Sequence, residues 1–213
     1  MNYTREQIAA ALDLAVLQPT ASTRDVIQAA KLVQKERLAS ICVAPCNVRL
    51  AKRYTDRVCA VIGFPHGNTL SDVKDYEARK AVAQGAIELD VVANFGRFLD
   101  GKNDRNWLGI DILHAHERGI LVKAILETCY LTVPQIVNFC EVCVRHHVDF
   151  VKTSTGFGSG GATVEAVHAM VQALSGRAGV KASGGIRTYA DAARYLDLGC
   201  TRLGASRYRE LLP

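Results

Sequence analysis

Eight short runs rich in Val, Ile, Leu, Ala and Cys recur along this chain, at 11–16, 39–43, 59–62, 88–92, 122–126, 150–152, 179–182 and 202–204. Longer segments with the apolar spacing of helices separate them, and this alternation constrains the fold more than any other feature. Strands that run side by side in one direction need a long crossover between them, usually a helix. Eight such units in series favour a single (β/α)₈ barrel over an open sheet. Helices are expected, for example, at 72–84, 105–118 and 163–174, with Ser71 and Thr132 as start signals. Gly85, Gly119 and Gly199 each stand just before a strand, where a left-handed residue turns the chain back. The barrel's usual length is ~250 residues, so a compact version with short loops is expected. No linker or low-complexity tract divides the chain, and 213 residues with 49% hydrophobic content can bury one core, so one domain over 1–213 is predicted.

Composition excludes several classes. The 26 Lys and Arg against 21 Asp and Glu leave +5, an excess that suits an anionic substrate or a basic surface. There is no run of five basic residues, and the aromatics, at 7%, are scattered singly, so no nucleic-acid partner is expected. The opening segment carries Arg5, Glu6 and Gln7 and has neither a leader's layout nor a membrane-spanning run. A cytoplasmic protein without a membrane partner is the expectation. Seven cysteines at 42, 46, 59, 129, 140, 143 and 200 read as reduced thiols, since the count is odd. Cys140 and Cys143 form a C-x-x-C, but in a helical stretch and without a second pair, so packing is preferred to metal or redox use. His114 with His116, and His146 with His147, are spaced for opposite or adjacent helix faces and read as solvated surface.

Charges inside strands are the informative residues, because side chains alternate faces and a barrel's inward face presents chemistry at its C-terminal rim. Lys152 ends the sixth strand pointing inward, and Lys181 repeats the pattern on the seventh, so the two lysines should meet. Glu88 and Asp90 add two inward carboxylates on the fourth strand. An ordinary lysine, with a pKa of ~10.4, is almost wholly protonated at neutral pH and cannot attack a carbonyl. A second ammonium and a partly dry pocket disfavour the charged form, a known route to Schiff-base lysines. In that reading Lys152 is the nucleophile, Lys181 supplies the like charge and Asp90 relays protons. The alternative is a set of buried ion pairs fixing barrel register. For Glu88 and Lys123, which sit deeper on neighbouring strands, the structural reading is preferred, each satisfying the other.

The stretch after Lys152, Thr-Ser-Thr-Gly-Phe-Gly-Ser-Gly-Gly-Ala-Thr, lets backbone N–H groups approach an anion before the helix near Thr163. It contains G-x-G-x-x-G at Gly156, Gly158 and Gly161, yet no acidic residue follows at a strand end ~20 positions on, so a dinucleotide site is rejected. Ser183-Gly184-Gly185 and Gly204-Ala205-Ser206 follow the seventh and eighth strands, where barrels commonly bind phosphate. Plain turn chemistry is the competing reading for these loops.

These residues also carry a resemblance. Val43, Val61-Ile-Gly-Phe-Pro-His-Gly67, Glu88-Leu-Asp-Val-Val92, Lys123-Ala-Ile-Leu-Glu-Thr128, Phe150-Val-Lys-Thr-Ser-Thr-Gly156 and Val180-Lys-Ala-Ser-Gly-Gly-Ile-Arg-Thr188 together resemble the deoxyribose-phosphate aldolase family over nearly the whole chain. The resemblance implies reversible cleavage of 2-deoxy-D-ribose 5-phosphate to D-glyceraldehyde 3-phosphate and acetaldehyde in deoxynucleoside breakdown. It implies no cofactor and no metal. It places the Schiff-base lysine on Lys152, its tuning lysine on Lys181 and the proton-transfer aspartate on Asp90. Phosphate and substrate contacts would fall on Thr155, Gly156, Gly184, Gly185, Gly204 and Ser206, with Asp13 and Cys42 lining the pocket near the sugar hydroxyls.

Three departures from the family pattern set further expectations. Ala15 stands where the family has Thr, removing one hydroxyl from the substrate site. The sequence stops at Pro213, shortly after Ser206, so a tail that reaches the site in some relatives is expected to be missing and proton abstraction slower. Phe157 stands where some relatives have a lysine beside the loop glycine, which leaves phosphate to backbone N–H groups, Ser206 and Arg187. The rivals are another Schiff-base aldolase or a sugar-phosphate isomerase on the same barrel, the isomerase not needing both lysines, and a catalytically silent sugar-phosphate-binding barrel. Self-association as a dimer or tetramer is compatible with such a barrel and not decided by the sequence.

Overall fold

A computed structural model describes residues 3–101, 108–110 and 112–213. Its strands are β1 (Leu12–Val16), β2 (Ser40–Val43), β3 (Val58–Ile62), β4 (Glu88–Val92), β5 (Leu121–Ile125), β6 (Phe150–Lys152), β7 (Gly179–Ser183) and β8 (Arg202–Ala205). Each pairs in parallel with the next, and β8 pairs with β1, closing the expected eight-stranded barrel. Every strand end falls within one residue of its predicted position.

The helices are α1 (Arg5–Ala11), α2 (Thr23–Glu36), α3 (Val48–Ala51), α4 (Ser71–Ala83), α5 (Phe95–Leu99), α6 (Ile112–Glu117), α7 (Val133–Arg145), α8 (Val164–Leu174) and α9 (Tyr189–Asp197). Capping boxes start α1, α2, α7 and α9, with Thr4, Ser22, Thr132 and Thr188 each reciprocated by the Gln or Asp three residues on. Ser71 departs from expectation: it is the first helical residue of α4, behind Leu70, and does not cap it. The helix predicted over 105–118 is present as α6, preceded by bends at 108–110; positions 105–107 and 111 of that expectation lie outside the described residues. Gly85, Gly119 and Gly199 have φ of 109°, 69° and 105°, the left-handed turns predicted for them.

Outward strand residues such as Leu14, Ile41, Leu89, Val122, Val151 and Leu203 are sealed against buried helix residues including Val33, Phe139, Val167 and Met170. The inward positions of β1, β4, β5, β6, β7 and β8 hold the charges, so the two faces of these strands are chemically separate. Cys140 and Cys143 belong to this apolar shell, and burial pushes the Cys140 thiol up to about 12, as befits packing. His116 corrects the solvated reading, since its Nε2 lies 2.9 Å from an Asp149 oxygen. Among the described residues no helix is long and apolar enough to cross a membrane.

Among the described residues, one buried lysine lies outside the barrel strands. Lys74 of α4 is 1% exposed, and its ammonium donates to the Val92 carbonyl at 2.7 Å. Gly63 and Gly109 leave room for its stem, where a Cβ would come within 2.6 and 2.8 Å. Burial lowers its pKa to about 8, against a smaller opposing pull from Glu77. Because the folded value is depressed, the fold is penalised below pH 8 and the penalty fades as pH rises towards the unfolded value of ~10.4. Relative to Lys74→Met, the wild type should gain on the order of 3 kcal/mol between pH 8 and 10.5. Urea unfolding of both proteins across that window checks this, and a constant difference would refute it.

Candidate active site

Parallel register assembles the site. Lys152 is the direct partner of Lys181, Lys181 of Arg202, Asp90 of Lys123, and Asp13 of Ser40 and Gly204. The two rim lysines therefore meet as predicted, but around a carboxylate. Asp90 Oδ2 accepts from Lys152 Nζ and from Lys181 Nζ, both at 2.7 Å, while Oδ1 accepts from Lys123 Nζ at 2.8 Å. Lys181 also donates to Asp13 at 2.5 Å.

Lys123 corrects the expectation that it and Glu88 form a separate pair. It donates to Glu88 at 2.5 Å as predicted, yet it is shared with Asp90, so the deep pair belongs to the same network. Arg202, which the sequence reading passed over, completes the layer through Asp13 at 2.7 Å and Glu88 at 3.2 Å. It was findable, because it opens the eighth strand and is a charge within a strand like the others. Cys59 was findable on the same alternation; its thiol lies 3.1 Å from Asp90 Oδ1.

Burial alone would raise the Asp90 carboxyl, but Lys123, Lys152 and Lys181 outweigh it and hold the group well below the usual carboxylate range. Burial likewise opposes ionisation of Asp13, yet Lys181, Lys123 and Arg202 bring it down to about 2. Seen from the other partner, burial works against the Lys181 ammonium, while Asp13 and Asp90 raise it above the ordinary lysine range. Lys181 and Asp90 are thus both charged at neutral pH. Lys123, Lys152, Lys181 and Arg202 face Asp13, Glu88 and Asp90 across this layer, one cation in excess if all are ionised.

Above the layer opens a cavity of about 990 Å³, lined among others by Asp13, Cys42, Lys152, Thr155, Gly156, Lys181, Gly184, Gly185, Gly204 and Ser206. Asp90 lies beneath it, fully buried, with Lys152, Lys181 and Cys42 between its Oδ2 and the cavity. On the β1–β2 side the lining mixes Leu17 and Cys42 with polar Asp13, Gln18 and Thr20, and Leu17 and Phe64 pack on the Cys42, Cys59 and Val61 cluster. Ala15 lines that part of the cavity too, and Phe157 of the β6–α8 turn meets Phe64 edge-on at 5.3 Å. The β7–β8 side is made of glycine turns with Arg187 and Ser206. There the loops touch backbone to backbone: a Cβ on Gly161 would stand 2.3 Å from the Gly184 carbonyl oxygen, and Ala162 N donates to Ser183 O and Gly184 O, each at 3.0 Å. Gly204 is needed for another reason, since a Cβ there would press within 3.1 Å of the Lys181 stem.

The Cys42 and Cys59 thiols and the Asp90 carboxylate place donor atoms within 4.8 Å of one another, the spacing of a metal-ligand set. The carboxylate's oxygens already accept from three ammonium groups, which makes this a poor cation site. Cys42 lies 3.8 Å from Asp90 Oδ2, at the cavity wall.

A lysine pair on one carboxylate, under a cavity whose far wall is built from glycine turns, is an arrangement for imine chemistry on an anionic substrate. Comparison with known proteins agrees. Residues 7–206 match the model of the DeoC/LacD family aldolases. The deoxyribose-phosphate aldolase of Treponema denticola is 41% identical, covering 92% of this chain and 93% of its own. That of Thermococcus gammatolerans is 44% identical over 93% and 92%. Among solved structures, the tetrameric deoxyribose phosphate aldolase of Aeropyrum pernix superposes with a TM-score of 0.89 at 28% identity, over 98% of this chain and 90% of that one. An aldolase called QR15 superposes with a TM-score of 0.90 at 34% identity, over 96% and 93%. With a family match over nearly its whole length and the barrel and lysine pair in place, the chain belongs to the DeoC/LacD family of aldolases.

Proposed function

We propose that this protein cleaves 2-deoxy-D-ribose 5-phosphate reversibly to D-glyceraldehyde 3-phosphate and acetaldehyde, through an imine on Lys152. The observation that carries the reading is the sharing of Asp90 Oδ2 by Lys152 and Lys181, each at 2.7 Å, at the floor of the cavity. The Lys152 amine attacks C1 of the open-chain sugar, and the proton it sheds has an acceptor already in contact. Water leaves the carbinolamine, giving an iminium ion. The C2–C3 bond then breaks as the C3 hydroxyl gives up its proton, releasing glyceraldehyde 3-phosphate and leaving an enamine. Protonation of the enamine at C2 and hydrolysis release acetaldehyde and restore the amine. Asp90 is the relay for these protons and Lys181 the fixed positive charge beside the nucleophile.

The phosphate goes to the glycine turns, with Thr155, Gly156, Gly184, Gly185, Gly204 and Ser206 around it, while Asp13 and Cys42 face the sugar. Ala15 contributes no hydroxyl, so the sugar's own hydroxyls are held by fewer contacts. The reading includes one catalytic domain over 1–213, a cytoplasmic role in deoxynucleoside breakdown and self-association as a dimer or tetramer; the tetramer of the Aeropyrum pernix relative supports the last.

Incubation with deoxyribose 5-phosphate, without added metal or cofactor, should release acetaldehyde, detected afterwards in withdrawn samples by enzymatic reduction. Release of an isomeric sugar phosphate would favour the isomerase reading. Phosphate binding without turnover by folded protein would favour the silent barrel.

A further inference from the structure

We infer that Glu127 is a positioning residue for the phosphate end of the site: it fixes the β6–α8 turn through Thr155 without touching substrate. The inference rests on the reading above for what that end binds. Glu127 lies just beyond β5, between two bonds that extend the ladder towards the nucleophile's strand, Leu126 N to Lys152 O at 3.0 Å and Thr128 N to Thr153 O at 2.9 Å. Between them the backbone of Glu127 is left-handed, φ 54° and ψ 64°, a conformation that a glutamate rarely adopts and that tends to mark functional turns.

That turn points a carboxylate, in a residue 2% exposed, at the loop following Lys152. Both of its oxygens accept from Thr155 N at 3.2 Å, and Oε2 also accepts from the Thr155 hydroxyl. The hydroxyl oxygen accepts in turn from Phe157 N at 3.0 Å. One carboxylate therefore orders three consecutive positions of a stretch that has Gly156, Gly158, Gly160 and Gly161 and few side chains to define its path. Gly158 is part of the fit, because a Cβ there would stand 3.0 Å from the Glu127 carboxyl carbon. The same stretch ends in the Ala162 contacts to Ser183 and Gly184, so Glu127 holds one end of the turn and the β7 loop holds the other. Glu127 itself does not line the cavity. Burial raises its carboxyl, countered by the bonds from Thr155 and by Lys152.

The test compares wild type with Glu127→Ala, Glu127→Gly and Glu127→Gln on three readouts. These are kcat and KM for deoxyribose 5-phosphate, calorimetric affinity for inorganic phosphate, and the rate of borohydride trapping with acetaldehyde, which has no phosphate. Alanine and glycine should each raise KM and weaken phosphate binding by about tenfold, with acetaldehyde trapping within about twofold of wild type. Glycine adopts the left-handed turn freely, so an equal effect from both variants separates the lost carboxylate from backbone strain. Glutamine keeps a carbonyl acceptor for Thr155 and should stay within about threefold of wild type. Unchanged KM and phosphate affinity in the alanine and glycine variants would overturn the inference. So would loss of acetaldehyde trapping in parallel with phosphate affinity, because the role would then be support of the whole site. If wild type neither turns over sugar nor forms an imine, the functional reading falls. Phosphate calorimetry still decides the Glu127 inference in that case, and a wild type that binds no phosphate overturns it.

Discussion

Lys152→Ala is expected to lower turnover of deoxyribose 5-phosphate by about four to six orders of magnitude, the scale on which removal of a covalent nucleophile acts. The barrel should persist, because Lys152 is one of three ammonium donors on Asp90 and the other two, Lys123 and Lys181, remain. The same substitution should abolish the borohydride-trapped adduct that acetaldehyde leaves on wild type, located by intact mass and peptide mapping. Lys181 is the internal control. It stands on the same oxygen of Asp90, but Asp13 and Asp90 keep it charged, and a charged amine has no lone pair for a carbonyl. An adduct mapped to Lys181 in wild type would reverse the two roles. No adduct on either lysine, in protein shown to be folded, would remove imine chemistry altogether.

How far the sequence alone reaches can be judged from individual residues. Strand ends were legible because each apolar run is bounded by a turn residue, such as Gly85 before β4 or Gly199 before β8, and because alternation separates Val151 from Lys152 and Val180 from Lys181. That the two lysines are neighbours followed from strand order alone. What they share did not. Lys123 was read as the private partner of Glu88, yet a long side chain reaches beyond its direct neighbour, and Asp90 is its register partner. Arg202 spans from β8 to both Asp13 and Glu88, a reach set by barrel closure, which pairs the last strand with the first. Ser71 looked like a cap because its residue type suits one, whereas the helix starts one residue earlier in register and leaves Leu70 at that position. Glu127 lies inside the Lys123–Thr128 stretch, where its residue type alone assigns it no role. Its role depends on a left-handed turn at a non-glycine residue, which residue type does not announce.

Asp90→Asn should cost both stability and activity, for reasons that can be separated. The amide nearly preserves shape but removes the charge on which Lys123, Lys152 and Lys181 converge, leaving Asp13 and Glu88 to face the cations. Stripping one member from a buried ionic network typically costs about 3–5 kcal/mol, and that is the loss expected at pH 7. The sign of its pH dependence follows from the shifts. The Asp90 carboxyl is held well below its unfolded value, so its contribution is present above about pH 4 and disappears as pH falls through the folded value. Asp13, at about 2, behaves alike. Lys123 and Lys181 are held above the ordinary lysine value by these same carboxylates, so the same attraction, seen from its cationic side, persists up to about pH 10 and fades beyond. The stability gap between wild type and Asp90→Asn should therefore be widest between about pH 5 and 9 and narrow towards both extremes, as urea unfolding would show. Activity should fall by about 10²- to 10⁴-fold, the contribution of a positioned proton-transfer group, measured where the variant is still folded. A folded variant that keeps its turnover would leave Asp90 as the keystone of the ion layer and move the proton relay to a water held by Lys181. A variant that loses turnover but still forms the acetaldehyde adduct would place Asp90 after imine formation, at cleavage of the C2–C3 bond.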